Sequence, residues 1–174
     1  MRLVFILSIM MFGFFNNLKA QSGMVEIKVE TNVNQFTCLC EEISFICAEF
    51  NDNDKVLKLP VSSFSCPKRL IEKDLVELFE AEKYPHISIE ILEYTETQKN
   101  FSAEIKITIK ETEKVYQLLL SKTYYNGVDY FTGKQSLNLT DYYIEPPVKA
   151  LGLVKVKPIV NIEFRIPEEF VVTQ

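Results

Sequence analysis

The chain has 174 residues, enough for one domain of ordinary size. Its net charge of −5 provides no basic footprint for phosphate, which argues against a nucleic-acid-binding protein. With 47% hydrophobic residues and only 5 Gly and 7 Pro, the composition is that of a globular chain with a sizeable core and excludes a low-complexity sequence.

The first 20 residues have the pattern of a secretory signal peptide. An apolar stretch from Leu3 to Phe15 follows a single basic residue, and Ala20 supplies a small residue for cleavage. Lys19 is unusual beside a cleavage site, so a cut slightly downstream is the alternative. The stretch is short of the ~18 apolar residues that identify a membrane span, which makes a retained anchor the weaker interpretation. We therefore expect an exported protein, periplasmic or extracellular, with a signal peptide at 1–20 and one mature domain at 21–174.

The cysteines Cys38, Cys40, Cys47 and Cys66 are disulfide candidates, because exported proteins enter an oxidising compartment. Positions two apart on one strand rarely bridge, so Cys38 with Cys40 is the least favoured pair. That leaves Cys38–Cys66 with Cys40–Cys47, or Cys38–Cys47 with Cys40–Cys66. Cys38–Cys66 is preferred, since each of the two follows a Phe-x pair at the end of a predicted strand. The two-residue spacing of zinc-binding cysteines is missing, so no metal site is expected.

Alternation of apolar and polar residues is the dominant pattern of the chain. It is clearest in Phe101–Ile109 and recurs in Val25–Val29 and Ile87–Ile91. Such alternation predicts antiparallel strands with one face toward an apolar interior and one toward water. Further strand-like runs, separated by turn residues, bring the total to about eight strands: Ile43–Phe50, Val56–Phe64, Val115–Lys122, Val128–Leu139 and Val160–Ile166.

Two segments depart from this alternation. From Pro67 to Lys83 the apolar residues fall on one half of a helical wheel, which predicts one amphipathic helix of about four turns. The stretch from Asp141 to Lys157, with two prolines and a glycine, is predicted to be a long loop before the last strand.

About eight sequential antiparallel strands favour a closed barrel, because closure removes exposed strand edges. The helix then serves as a plug or lid at one end of the barrel. A two-sheet sandwich is the alternative, since periodicity alone does not separate the two architectures.

Five short segments, taken in this order, are similar to a known family. They are Thr31–Phe36, Leu59–Phe64, the helix residues Arg69–Phe79, the run Tyr84–Ile89, and Gly152–Val156, which is followed by Ile162-Glu163-Phe164. Together they resemble the YceI-like family of exported bacterial lipid-binding proteins, over nearly all of the mature chain. The resemblance implies a lipocalin-like antiparallel barrel that holds a polyisoprenoid or similar amphiphilic chain in an apolar tunnel.

The chain has 13 Phe and 8 Tyr, which either fill the barrel or line a cavity. The resemblance favours the cavity. An apolar chain needs no catalytic group in order to bind there, because removal of its surface from water is itself favourable. The predicted lining residues come from strands and from the apolar face of the helix: Phe36, Phe64, Leu75, Phe79, Ile87, Ile89, Ile105 and Ile107.

Residues for covalent chemistry are scarce in this sequence. His86 is the single histidine, and its alternation with Ser88 and Glu90 places it on the polar face of a strand. We expect no enzymatic activity, no catalytic residue and no cofactor other than a bound lipid. The competing hypothesis is an exported interaction protein that acts through its surface, with the tail from Glu168 to Gln174 as a candidate edge strand for a homodimer.

Overall fold

A computed structural model describes residues 23–47, 55–98 and 100–171, so the predicted signal peptide lies outside the described residues. The described residues form ten strands and one α-helix, together with short 3₁₀ helices. The helix α1 spans Arg69–Leu78 and lies between the fourth and fifth strands. The strands are β1 (Met24–Thr31), β2 (Gln35–Cys40), β3 (Ser44–Cys47), β4 (Lys55–Pro60), β5 (His86–Glu96), β6 (Phe101–Ile109), β7 (Thr112–Tyr125), β8 (Val128–Asn138), β9 (Val148–Lys149) and β10 (Val154–Pro167).

All neighbouring strands pair antiparallel, in the order β2-β1-β10-β8-β7-β6-β5-β4-β3, with β9 attached to β10. The sheet curls into a half-barrel with α1 at one end. The predicted antiparallel, lipocalin-like architecture with one helix is therefore confirmed. The described residues form ten strands rather than about eight, since β2 was not among the predicted strands and the two-residue β9 is too short to show a period.

Alternation determines which side chains face the interior of the half-barrel. In β6 the side chains of Ala103, Ile105, Ile107 and Ile109 are buried, while the residues between them are partly exposed. Because successive side chains of a strand point to opposite faces, this one pattern fixes the inner wall and the outer surface of the sheet. The core of the protein lies along that inner wall.

Edge strand β2 meets the segment between β4 and α1 at a seam, where a bridge and a disulfide join them. The N–H of Leu39 in β2 donates to the carbonyl of Ser65, and the N–H of Ser65 donates back to Leu39, both at 2.8 Å. Beside this bridge Cys38 is bonded to Cys66, with their Cα atoms 4.3 Å apart. This is the pairing that the sequence analysis preferred.

The remaining cysteines do not form the second bridge that the sequence analysis considered. Cys40 is a free, fully buried thiol whose sulfur lies 3.6 Å from the carbonyl oxygen of Glu42. Burial raises the pKa of this thiol above its usual range. Cys47 lies in β3, and its side chain is outside the described residues. The pairings of Cys40 with Cys47 and with Cys66 are wrong because Cys40 is a free thiol, and the pairing of Cys38 with Cys47 is wrong because Cys38 is bonded to Cys66.

The helix is shorter at both ends than the predicted span from Pro67 to Lys83. Lys68 precedes its first turn with extended backbone. At the other end Glu80 adopts a left-handed φ of 51°, and the N–H of Ala81 bonds back to the carbonyl of Val76 at 3.0 Å. A left-handed residue with such a back-bond is a common way to end a helix.

Two further segments differ from their predicted structure. The predicted loop from Asp141 to Lys157 contains the end of one 3₁₀ helix, the whole of another at Ala150–Gly152, strand β9 and the beginning of β10. The tail does not form an edge strand up to Val171, since Glu168–Phe170 is a 3₁₀ helix and Val171 is buried in the core. Residues 172–174 lie outside the described residues.

The seam disulfide gives the first testable prediction. Replacing both cysteines, in Cys38→Ala/Cys66→Ala, should lower the free energy of unfolding by about 3–4 kcal/mol, because the bond closes a loop of 28 residues in the unfolded chain. Chemical denaturation of the oxidised wild type and the variant measures this difference. A reductant should bring the wild type down to the variant and leave the variant unchanged; equal stability of the two oxidised proteins would contradict the prediction.

Candidate functional site

The half-barrel encloses an apolar cavity of about 490 Å³ beneath α1. Its volume is within the roughly 300–1,000 Å³ of typical ligand sites. The strands contribute almost exclusively aliphatic side chains and one phenylalanine to the wall. These residues are Val25, Ile27, Val29, Phe36, Leu59, Ile87, Ile89, Ile107, Ile109, Leu137, Val154, Val156, Val160 and Ile162.

The roof of the cavity is the apolar face of α1. Ile71, Leu75 and Leu78 line the cavity from the helix, followed by Phe79 directly after it. No side chain within α1 itself is fully buried, although Ile71, Leu75 and Leu78 pack against the core. A helix over a cavity leaves its apolar face only partly covered, because the groups that would complete the packing are missing.

Two contacts fasten this roof to the rest of the protein. Near the start of the helix, the carboxylate of Glu72 accepts the backbone N–H of Cys66 at 3.0 Å, which ties the first turn to the seam. In the middle of the helix, Asp74 Oδ1 lies 2.7 Å from Lys149 Nζ of β9. Both Asp74 and Lys149 line the cavity, so this ion pair crosses its mouth.

Polar groups at the cavity are confined to this mouth. The lining residues with polar or charged side chains are Thr31, Asn34, Lys68, Asp74 and Lys149. All but Thr31 and Asp74 are exposed, and Thr31 accepts the backbone N–H of Asn34 through its hydroxyl at 2.9 Å. The arrangement is an apolar interior with a polar entrance, which suits a molecule with a long apolar part and a polar end.

Aromatic side chains occupy the opposite, deep end of the half-barrel. The ring of the fully buried Phe131 lies 5.4 Å from that of Phe101 and 5.6 Å from that of Tyr94. A second cavity of about 50 Å³, between this cluster and the main cavity, shares Val25, Ile89 and Ile162 with the main one. The interior is thus widest under α1 and narrows toward the aromatic end.

The structure brings most of the predicted lining residues together. Six of them line the main cavity: Phe36, Leu75, Phe79, Ile87, Ile89 and Ile107. Ile105 lines the second cavity, one inward position further along β6. Phe64 is buried in the core but is not among the lining residues of either cavity.

The sequence analysis missed lining residues of two kinds. Val25, Ile27 and Val29 of β1 alternate as clearly as those of β6, so the same signal applied to β1 would have found them. Val154 and Val156 fell in the predicted loop, where the prolines on either side hid a short alternation at the start of β10.

A groove on the outer face of the sheet is larger, about 640 Å³, but it is open and carries charges. Glu163 in this groove lies 2.5 Å from Lys28 Nζ and 2.9 Å from Lys134 Nζ. Hydrogen bonds from these lysines hold the pKa of Glu163 below its usual range. These charges satisfy one another across neighbouring strands, so the inner cavity is the better ligand site.

Groups suited to covalent or metal chemistry do not converge on the cavity. His86 is exposed at the start of β5, opposite Pro60. In the described residues, no three His, Cys, Asp or Glu side chains come close enough to hold a metal ion. No helix in that part of the chain is long and apolar enough to cross a membrane.

Comparison with known protein families shows which family shares this sequence pattern. The model of the YceI-like domain matches residues 12–167. The chain belongs to the YceI-like family. Comparison with curated protein sequences gives no match.

Several solved structures share the fold of this YceI-like chain at low sequence identity. BcnA of Burkholderia cenocepacia superposes with a TM-score of 0.65 at 14% identity, over 83% of this chain and 95% of BcnA. A polyisoprenoid-binding domain from Saccharophagus degradans, implicated in plant cell wall breakdown, gives 0.63 at 10% identity, over 83% of this chain and 91% of that domain. The YceI protein of Campylobacter jejuni gives 0.54 at 17% identity, over 81% and 85%.

A buried tyrosine, Tyr142, gives a prediction on how stability depends on pH. The hydroxyl of Tyr142 lies 3.1 Å from that of Tyr116, and burial raises the pKa of Tyr142 above its usual range. The folded protein therefore favours the neutral phenol. The resulting stabilisation is complete below the ordinary tyrosine pKa of about 10 and is lost as the pH rises above it.

Tyr142→Phe removes this titrating group, so the variant should lose less stability than the wild type between about pH 9 and pH 11. At neutral pH the variant should be about 1 kcal/mol less stable, because the hydrogen bond to Tyr116 is lost. Urea unfolding of wild type and variant at neutral pH, at about pH 9 and at about pH 11 measures these differences in stability. Tyr143→Phe is the matched control, since Tyr143 is 88% exposed; equal alkaline losses in the two variants would contradict the prediction.

Proposed function

We propose that this YceI-like protein is an exported binding protein that holds a polyisoprenoid or similar amphiphilic lipid in the cavity beneath α1. The apolar chain of the lipid lies along the inner wall of the half-barrel, and its polar end lies at the mouth. The protein performs no covalent chemistry on the lipid.

The observation that carries this proposal is the composition of the cavity wall. Apart from Thr31 and Lys149, the strand residues that line the cavity are all apolar, and polar groups occur only around the entrance. Each Å² of lipid surface removed from water in such a site contributes roughly 25 cal/mol. Water in the same space would find few hydrogen-bonding partners, which favours occupation by an apolar chain.

Two further observations support the ligand class and the export. The domain from Saccharophagus degradans, which has the same fold, is described as polyisoprenoid-binding. The predicted leader at 1–20 supports export, and the Cys38–Cys66 disulfide is of a kind that persists in oxidising compartments.

The first experiment is native mass spectrometry on protein purified from its own host, followed by denaturing release. A stoichiometric excess mass that extracts into organic solvent is expected, and its identification names the lipid. A clean apo mass, with no uptake of added geranylgeraniol, would contradict the proposal. That result would favour the alternative of a barrel that acts through its surface.

A cavity-filling variant tests the location of the site. In Leu75→Trp the larger side chain projects from the roof into the cavity, so uptake of geranylgeraniol should fall at least about tenfold, because the apolar contact area that the lipid would occupy is lost. Titration followed by native mass spectrometry measures the uptake. Leu119→Trp, on the exposed outer face of β7, is the control and should bind as the wild type does. Undiminished uptake by Leu75→Trp would place the lipid elsewhere.

A further inference from the structure

Large apolar side chains are exposed around the mouth of the cavity. Leu70 lines the cavity and yet is 68% exposed, which places it at the edge of the opening. Val33, in the turn between β1 and β2, is also exposed, as are Val148, Leu151 and Leu153 in and after β9. We call these five residues the rim.

The three segments that carry the rim are held together by specific contacts. The side chain of Asn32 donates to the carbonyl of Leu153 at 3.0 Å and accepts the N–H of Lys155 at 2.8 Å. These bonds join the β1–β2 turn to the start of β10 and to residues 148–153 before it, which we call the β9 segment. The pair of Asp74 with Lys149 joins the β9 segment to α1. The rim is therefore one continuous surface around the opening.

The tip of the β9 segment is unusual for an exposed turn. Ala150, Leu151 and Gly152 all have left-handed backbone, with φ of 51°, 55° and 93°. Glycine adopts this conformation freely, and asparagine or aspartate tolerates it, but leucine does so rarely. Leu151 is nevertheless fully exposed, so packing within the fold does not account for a leucine at this position. An apolar partner outside the chain would account for it.

Unpaired positive charges accompany the rim. Lys68 and Arg69 at the start of α1, and Lys155 in β10, are exposed and have no side-chain partner in the described part of the chain. The protein as a whole has a net charge of −5. Apolar side chains flanked by lysine and arginine suit an anionic bilayer, which offers an apolar interior beneath negatively charged headgroups.

We propose that the rim is a membrane-docking surface, through which the protein seats the mouth of its cavity on an anionic lipid bilayer. The inference rests on the proposed lipid-binding function and adds the place where lipid is exchanged. Val33, Leu151 and Leu153 enter the headgroup region, while Lys68 and Lys155 contact the anionic headgroups. An apolar chain then passes between the bilayer and the cavity without crossing water.

Cosedimentation with vesicles tests this docking. The vesicles contain equal parts of phosphatidylethanolamine and phosphatidylglycerol, and the wild-type protein should sediment with them. Leu151→Asp/Leu153→Asp should weaken the association at least about tenfold, because two apolar contacts are lost and two negative charges are added. Aspartate is compatible with the left-handed backbone at position 151, so the variant retains the turn.

The matched control carries the same change on the outer face of the sheet. Val115→Asp/Leu119→Asp alters two exposed apolar residues of β7 that belong neither to the rim nor to the cavity lining, and the variant should bind vesicles as the wild type does. If the predicted leader stayed attached, all three proteins would carry it, so it would not cause a difference in sedimentation between them. Equal sedimentation of the two variants, or wild-type protein that stays in the supernatant, would overturn the inference.

A second measurement separates this inference from the proposed function. Geranylgeraniol added without vesicles should be taken up equally by the wild type and by Leu151→Asp/Leu153→Asp, since neither side chain lines the cavity. Uptake by both without any vesicle binding by the wild type would refute the docking surface and leave the lipid-binding function standing. Absence of uptake by the wild type would refute the lipid-binding function itself.

Discussion

The joining of edge strand β2 to the segment between β4 and α1 is the constraint on which the site depends. A sheet with one aliphatic face has to cover that face, and here the sheet does so by curling upon itself. In the described residues β2 and β3 are not paired with each other, so the curl is held by the bridge of Leu39 with Ser65 and by the bond between Cys38 and Cys66, which join β2 to the segment after β4. The same disulfide lies just before α1, so one fastening fixes both the wall of the cavity and the start of its roof.

Local periodicity predicted the parts of the structure that alternation controls directly. The inward face of β6, with Ile105 and Ile107, follows from its sequence, because a strand has only two faces and one of them is polar. The apolar stripe of α1 follows in the same way from the helical period, including Leu75 at the roof. A family resemblance added what periodicity does not supply, namely that these faces surround a cavity and are not packed solid.

Contacts between residues far apart in the sequence could not be predicted from local periodicity. The pair of Asp74 with Lys149 connects residues 75 positions apart, and neither residue lies in a pattern that indicates its partner. Phe64 is apolar and buried, as expected, but it is not a cavity-lining residue. The chain leaves β4 through a 3₁₀ helix, so the alternation of a strand no longer determines which way this side chain points. Whether a buried residue borders a cavity depends on its neighbours in space, which one sequence does not list.

The aromatic cluster at the deep end has a consequence for selectivity. The rings of Phe131, Phe101 and Tyr94 pack together at the end of the half-barrel opposite the mouth, where they would limit how far a lipid of the proposed kind could reach. Under the proposed function, the half-barrel would then select its lipid by the length of the apolar chain. An apolar chain shorter than this depth leaves unfilled space, whereas a longer one leaves its last units outside the mouth, exposed to water or in contact with the rim. Larger side chains at the floor would shift the preferred length downward, and smaller ones would shift it upward.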